Sequence, residues 1–231
     1  MAASSESQEI QIRDVDYSKD VTAIVDMYIN AFEGETQFIW AFQTTGKAHR
    51  EALKLLFEGR LIMLEMYQKN ILLVCRQKDN EKIIGACAIQ PNSCESTLYH
   101  QIRAGLLMLI IYYGFEALNR LKRLGTSTKE KEGVVDPTGG MLIMMAIEPK
   151  HQGQGIGSKL LINILNKWDN EGGGDLILAT QSEANVRFYQ KHGFQVTHHT
   201  ESDGFIDWSM KRIRVKSSNV KGSEIKSTEV K

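Results

Sequence analysis

The sequence predicts a single α/β domain, and three observations carry that prediction. Residues 141–194 read in succession as a strand, a glycine loop, a helix, a strand and a second helix. Two apolar strands at 71–76 and 82–90 flank the polar run Lys78-Asp79-Asn80-Glu81, which signals an antiparallel hairpin. With 231 residues, average apolar content and no internal repeat, the chain can bury one full core without metal or disulfide staples.

The elements follow in order. Residues 10–13 alternate as a first strand, and Asp20 is the expected cap of a helix through Phe32 that puts Ile24, Met27, Tyr28 and Ala31 on one side. A loop with Glu33, Glu35, Phe38, Trp40 and Phe42 comes next. Thr45 then caps a second helix over 47–67, whose apolar face is Leu53, Leu56, Phe57, Leu61 and Leu64. After the hairpin, residues 97–124 form a long helical insert that is apolar nearly all round at its centre, yet falls short of the roughly 20 apolar residues that span a bilayer. Such a helix must be covered. Core burial is the first expectation, with a substrate wall or a second subunit as alternatives. Residues 141–147 are apolar without alternation, as in a central strand buried on both faces. Pro149 breaks that strand. The helix after the glycine loop then aligns Leu161, Ile164, Leu165 and Trp168. His198 and His199 fall on the next strand, and the last strand covers 205–210.

Lysine plus arginine equals aspartate plus glutamate, so no global field draws the chain to nucleic acid or to an anionic membrane, and neither is expected as a partner. Cys75, Cys87 and Cys94 are odd in number and lack C-x-x-C spacing. They point to a reducing compartment, the cytoplasm by default, and no metal site is expected. Residues 1–9 read as a disordered start and 215–231 as a solvated tail, leaving 10–214 as the domain.

The glycine loop His151-Gln152-Gly153-Gln154-Gly155-Ile156-Gly157 opens a helix, and that is an anion cradle. The first amides of a helix lack intrahelical partners, the helix dipole adds partial positive charge there, and glycines let the main chain approach a pyrophosphate. The P-loop pattern fails because Ser158 and Lys159 stand in reverse order. The dinucleotide pattern G-x-G-x-x-G fails on spacing. The pattern Q-x-x-G-x-G fits, at Gln152, Gly155 and Gly157, followed by Asn185-Val186-Arg187-Phe188-Tyr189-Gln190-Lys191-His192-Gly193-Phe194.

On these two motifs the chain resembles the GCN5-related N-acetyltransferases (GNAT), and through its insert and Ala31-Phe32 it is most similar to the puromycin N-acetyltransferase type. The resemblance implies a GNAT-like acyl-coenzyme A N-acyltransferase fold: a central mixed, twisted sheet flanked by helices, with the insert between strands 3 and 4. It implies acetyl-coenzyme A as cosubstrate, held by Ile147, Gln152, Gly153, Gln154, Gly155, Ile156, Gly157, Ser158 and Asn185. Tyr189 is then the general acid, and the amide near Ile147 faces the thioester carbonyl. The base that relatives place early on the fourth strand is missing, since Met141 and Ile143 stand there. Glu148 reads as a solvated loop acid. Acceptor contacts are expected from Glu33, Trp40, Tyr112 and Tyr113, which favour a small amphipathic amine. The alternatives are protein N-acetylation, an acyl-coenzyme A binder with weak catalysis, and an interaction module or homodimer built on the insert.

Overall fold

The computed structural model describes residues 9–67, 71–77, 81–94, 96–131, 136–202 and 204–214. The expected disordered segments at the two ends therefore lie outside the described residues, residue 9 apart, as do Lys78, Asp79 and Asn80 of the hairpin turn.

The chain runs β1 (Ile10–Asp14), α1 (Tyr17–Phe32), α2 (Thr36–Phe42), α3 (Gly46–Met66), β2 (Ile71–Gln77), β3 (Ile83–Pro91), α4 (Leu98–Arg103), α5 (Leu106–Lys131), β4 (Gly140–Ile147), α6 (Ile156–Asn170), β5 (Leu176–Thr180), α7 (Glu183–Gln190), β6 (Gln195–Ser202) and β7 (Phe205–Arg212). The strands make one seven-stranded sheet in the order β1-β2-β3-β4-β5-β7-β6. Every neighbouring pair is antiparallel except β4 and β5, which are parallel. This is the mixed sheet with an insert between its third and fourth strands that the sequence implies.

Two apolar layers cover the sheet. On one face α1, α3 and the inner side of α5 enclose Ile24, Tyr28, Leu53, Phe57, Leu61, Leu109, Ala117 and Ala146. On the other, α6 and α7 bury Leu160, Leu161, Ile164, Trp168, Tyr189 and Phe194 against Ile84, Cys87 and Leu176. The apolar periodicities of the helices at 47–67 and 156–168 are met residue for residue, because α3 packs on α1, α4 and α5 and α6 packs on the sheet.

Three local expectations give way to nearby competitors. Asp16, not Asp20, caps α1, accepting from the Ser18 amide at 3.1 Å. Asp20 lies one turn inside the helix, buried, where it takes both ends of the Arg13 guanidinium at 2.6 and 2.8 Å and the Asp16 amide at 2.7 Å. The expected loop at 33–42 contains α2, since Phe38 and Phe42 find partners in Phe32, Phe57 and Tyr113 and bring the backbone into a turn of helix. The insert is two helices: α4 ends before Gly105 (φ 86°), and α5 is kinked at Gly114 (φ 77°). Among the described residues no helix is long and apolar enough to cross a membrane.

The Arg13 contact holds the Asp20 carboxyl below its ordinary range. A depressed carboxylate stabilises the fold above its unfolded pKa of about 3.9 and loses that contribution as the pH falls through the lower, folded value. Asp20→Asn should cost roughly 1–3 kcal/mol at neutral pH. Urea unfolding of both proteins across pH 7 to 2.5 should show the difference shrinking below about pH 4; a gap constant with pH would contradict the assignment.

Candidate active site

The site begins with one extra residue in β4. Ala86 of β3 opposes Ala146, but Ala88 opposes Ile143, so Cys87 alone faces Met144 and Met145. Met144 takes φ 53° to make the bulge, a conformation that costs a residue with a side chain about 1–2 kcal/mol. On its other edge β4 pairs with β5 only through Gly140 with Leu176 and Met141 with Ile177. Beyond these residues the strands part, and β5 continues with β7 alone.

The parting leaves main-chain donors facing a gap. The Glu148 amide donates to the Ile84 carbonyl at 2.8 Å. In an antiparallel ladder the direction alternates, so Ala146 also faces β3 while Met145 and Ile147 turn their amides and carbonyls toward the gap. The Ile147 carbonyl accepts from Gln152 Nε2 at 2.9 Å, which fixes the loop to the end of the strand. Ile147 is the last residue of β4. Met145 was not legible as a second donor, because the bulge resets the alternation that a sequence pattern would be read by.

The glycine loop follows a single turn of 3-10 helix at Pro149–His151. Gly153 and Gly155 have φ 75° and 76°, and Gly155 is the N-cap of α6, with no side chain closing the helix end. The amides of Ile156, Gly157 and Ser158 belong to the first turn and have no acceptor within the helix. A Cβ on Gly157 would meet Ile147, Met145 and Phe188 at 3.6–3.7 Å, so the helix start lies directly against the post-bulge strand. Gln154 donates to the Lys150 carbonyl at 3.3 Å, bracing the loop.

Glu148 differs from expectation. Its carboxylate is buried, with Lys82 at 3.0 Å and Lys150 at 3.6 Å. It is an anchor that ties the loop to the start of β3, and a carboxylate held by two lysines is poorly placed to take a proton from an incoming amine.

Asn185 and Tyr189 stand one turn apart on α7, Asn185 exposed and Tyr189 buried. Tyr189 packs edge-on to Phe188 and Phe194 and shares a core with Cys87, Ile147 and Met145, the residues around the bulge. Burial, and secondarily Cys87, push its hydroxyl well above the ordinary tyrosine pKa. A phenol so held stays protonated, and its available role is to donate a proton. Burial likewise raises the Cys75 thiol to about 11.

Of the four residues expected at the acceptor, Glu33 ends α1, Trp40 lies on α2, and Tyr112 and Tyr113 lie on α5. Glu33 pairs with Arg50. Trp40 carries the Arg123 guanidinium 5.4 Å above its ring. Tyr113 stacks edge-on with Phe42 at 5.2 Å and is half-buried, whereas its neighbour Tyr112 points outward, 66% exposed. His198 and His199 are both exposed on the edge strand β6.

Residues 114–196 match the family model of the acetyltransferase (GNAT) domain. The fold is that of the GNAT N-acetyltransferases. The matched segment holds the bulge, the glycine loop and the Asn185–Tyr189 turn. Among solved structures, the chain resembles the putative acetyltransferase yncA from Salmonella typhimurium with its cofactor acetyl-CoA, at 17% identity over 91% of this chain and 96% of that one, TM-score 0.54. It also resembles the histone acetyltransferase HPA2 and related acetyltransferase from Corynebacterium glutamicum, at 17% identity over 90% and 99%, TM-score 0.63. The ribosomal-protein-S18-alanine N-acetyltransferase from Escherichia coli is similar at 14% identity over 92% and 99%, TM-score 0.51. A sequence comparison with curated proteins gave no match.

The positive φ of Gly155 makes a backbone prediction that is independent of any ligand. Gly155→Ala should lower unfolding free energy by about 1–2 kcal/mol, because nothing within 4 Å offers compensating contact for the new methyl group. Denaturant unfolding checks this; an unchanged midpoint would mean the loop can adopt another conformation.

Proposed function

We propose that the protein transfers an acetyl group from acetyl-coenzyme A directly to the amine of a small amphipathic acceptor. The observation that most supports this reading is the pairing of a gap between β4 and β5 with two main-chain amides, Met145 and Ile147, turned toward it, directly beside an uncapped helix start. That donor set suits an extended, amide-bearing arm ending in a pyrophosphate. The loop amides from Gly153 to Ser158 would take the phosphate oxygens, and the exposed Asn185 carboxamide would bond the arm.

When bound, acetyl-coenzyme A supplies the thioester acetyl group. The chain's own residues do the rest. The Met145 or Ile147 amide donates to the carbonyl oxygen as negative charge develops on it, and a donor of this kind typically contributes about 3–4 kcal/mol. Tyr189 holds a proton at its hydroxyl and delivers it to the departing sulfur. The amine must lose a proton before it attacks, and with an ordinary pKa of about 10.4 only a small neutral fraction exists at neutral pH. Glu148 is committed to its lysines, so the reading uses no side-chain base on β4. Selection of the neutral amine then predicts a rate that climbs with pH toward the amine's own pKa.

The acceptor would approach from the corner where α1, α2 and α5 meet, with Glu33, Trp40 and Tyr113 as its wall. The Trp40–Arg123 stack and the Glu33–Arg50 pair give that corner both planar and charged surface, which favours a small planar amine over a peptide. The outward Tyr112 takes no part in this corner. The similarity of the insert to that of the puromycin N-acetyltransferase type agrees with a small-molecule acceptor.

Calorimetric titration with acetyl-coenzyme A should show binding to the wild type and none to Gly155→Glu, whose carboxylate would occupy the anion cradle. No wild-type binding would remove the basis of the reading. In an amine panel followed by thiol release, Tyr189→Phe should lower turnover by about a hundredfold to ten-thousandfold with coenzyme affinity kept. Because the Tyr189 proton is held through the ordinary phenol range, wild-type turnover should show no falling limb below pH 10. Equal turnover in the two proteins would refute its role as the acid.

A further inference from the structure

The insert was expected to be covered by the core, by a substrate or by a second subunit, and the core covers only one side of it. Leu98, Tyr99 and Ile102 of α4 and Leu107, Met108, Ile111, Tyr112 and Phe115 of α5 are 43–72% exposed. Their spacing explains the pattern. Leu107 and Ile111 are four residues apart, as are Met108 and Tyr112, so these four share the outer side of the first part of α5, and Phe115 follows the break at Gly114. The inner side, through Leu109 and Ala117, belongs to the core. No charged residue interrupts the chain between Arg103 and Glu116.

The exposed parts of these eight residues amount to roughly 900 Å², taking on the order of 200 Å² for a large side chain. The largest apolar patch of an ordinary monomer is about 300–600 Å². One side of a standard protein interface is about 800 Å².

We infer that this face docks on the same face of a second copy of the chain, forming a two-fold dimer through α4 and α5. In such an interface residue i meets residue j, and j meets i. An uncharged apolar strip satisfies that condition against itself. An anionic lipid surface fits less well. Glu116 would face it, while Arg120 donates to the Ala41 carbonyl at 2.7 Å and Arg123 lies over Trp40, so both cations are engaged with α2.

The inference does not rest on catalysis, and its test reads mass. Sedimentation equilibrium of the full chain should give a dimer, and Ile111→Asp should give a monomer with unchanged circular dichroism. A monomeric wild type would overturn the inference, as would a dimer indifferent to Ile111→Asp. Co-sedimentation of a monomeric wild type with phosphatidylserine vesicles would assign the face to lipid instead.

Discussion

One extra residue in β4 governs the rest of the site. Had β4 kept register with β3 through Met144, its far edge could have stayed hydrogen-bonded to β5 along its whole length, and no main-chain donor would face open space. The bulge bends the strand, the two central strands part after a single short stretch of pairing, and Met145 and Ile147 present amides to the gap. The strained φ of Met144 persists because the surroundings over-determine it. The β3 ladder holds both sides of the bulge, and Lys82 with Glu148 pins the segment just beyond it.

The two faces of the sheet then divide the work. The face covered by α6 and α7 carries the glycine loop, Asn185 and Tyr189, and its core of fully enclosed aliphatic side chains keeps the helix start fixed against the strand. The face covered by α1, α3 and α5 carries the aromatic corner. That corner is built from Phe32, Phe38, Phe42, Phe57 and Tyr113 stacked at 5.2–5.9 Å, with charged pairs at its margin. On the proposed reading the first face holds the coenzyme and the second receives the acceptor.

What the sequence made legible was local. The glycine loop, the α6 face and the Tyr189 turn are patterns within a few turns of chain, and the structure places them as read. What it hid depended on partners distant in sequence. The bulge at Met144 is a register relation with β3, more than fifty residues earlier in the chain. Glu148 looks like a solvated loop acid until Lys82 is brought beside it. Asp20 looks like a cap until Arg13 crosses from β1. The insert misled in the opposite sense: its composition shows that α5 needs covering on every side, but only the fold shows that the domain covers one side of it.

The proposed transfer depends on the Met145 and Ile147 amides as donors to a bound coenzyme. Residue-resolved amide hydrogen exchange with and without acetyl-coenzyme A tests that directly. Slowed exchange at Met145, Ile147 and the first turn of α6, with little change across β6 and β7, is the predicted result. Coenzyme binding that leaves the Met145 and Ile147 amides exchanging at their free rates would contradict it.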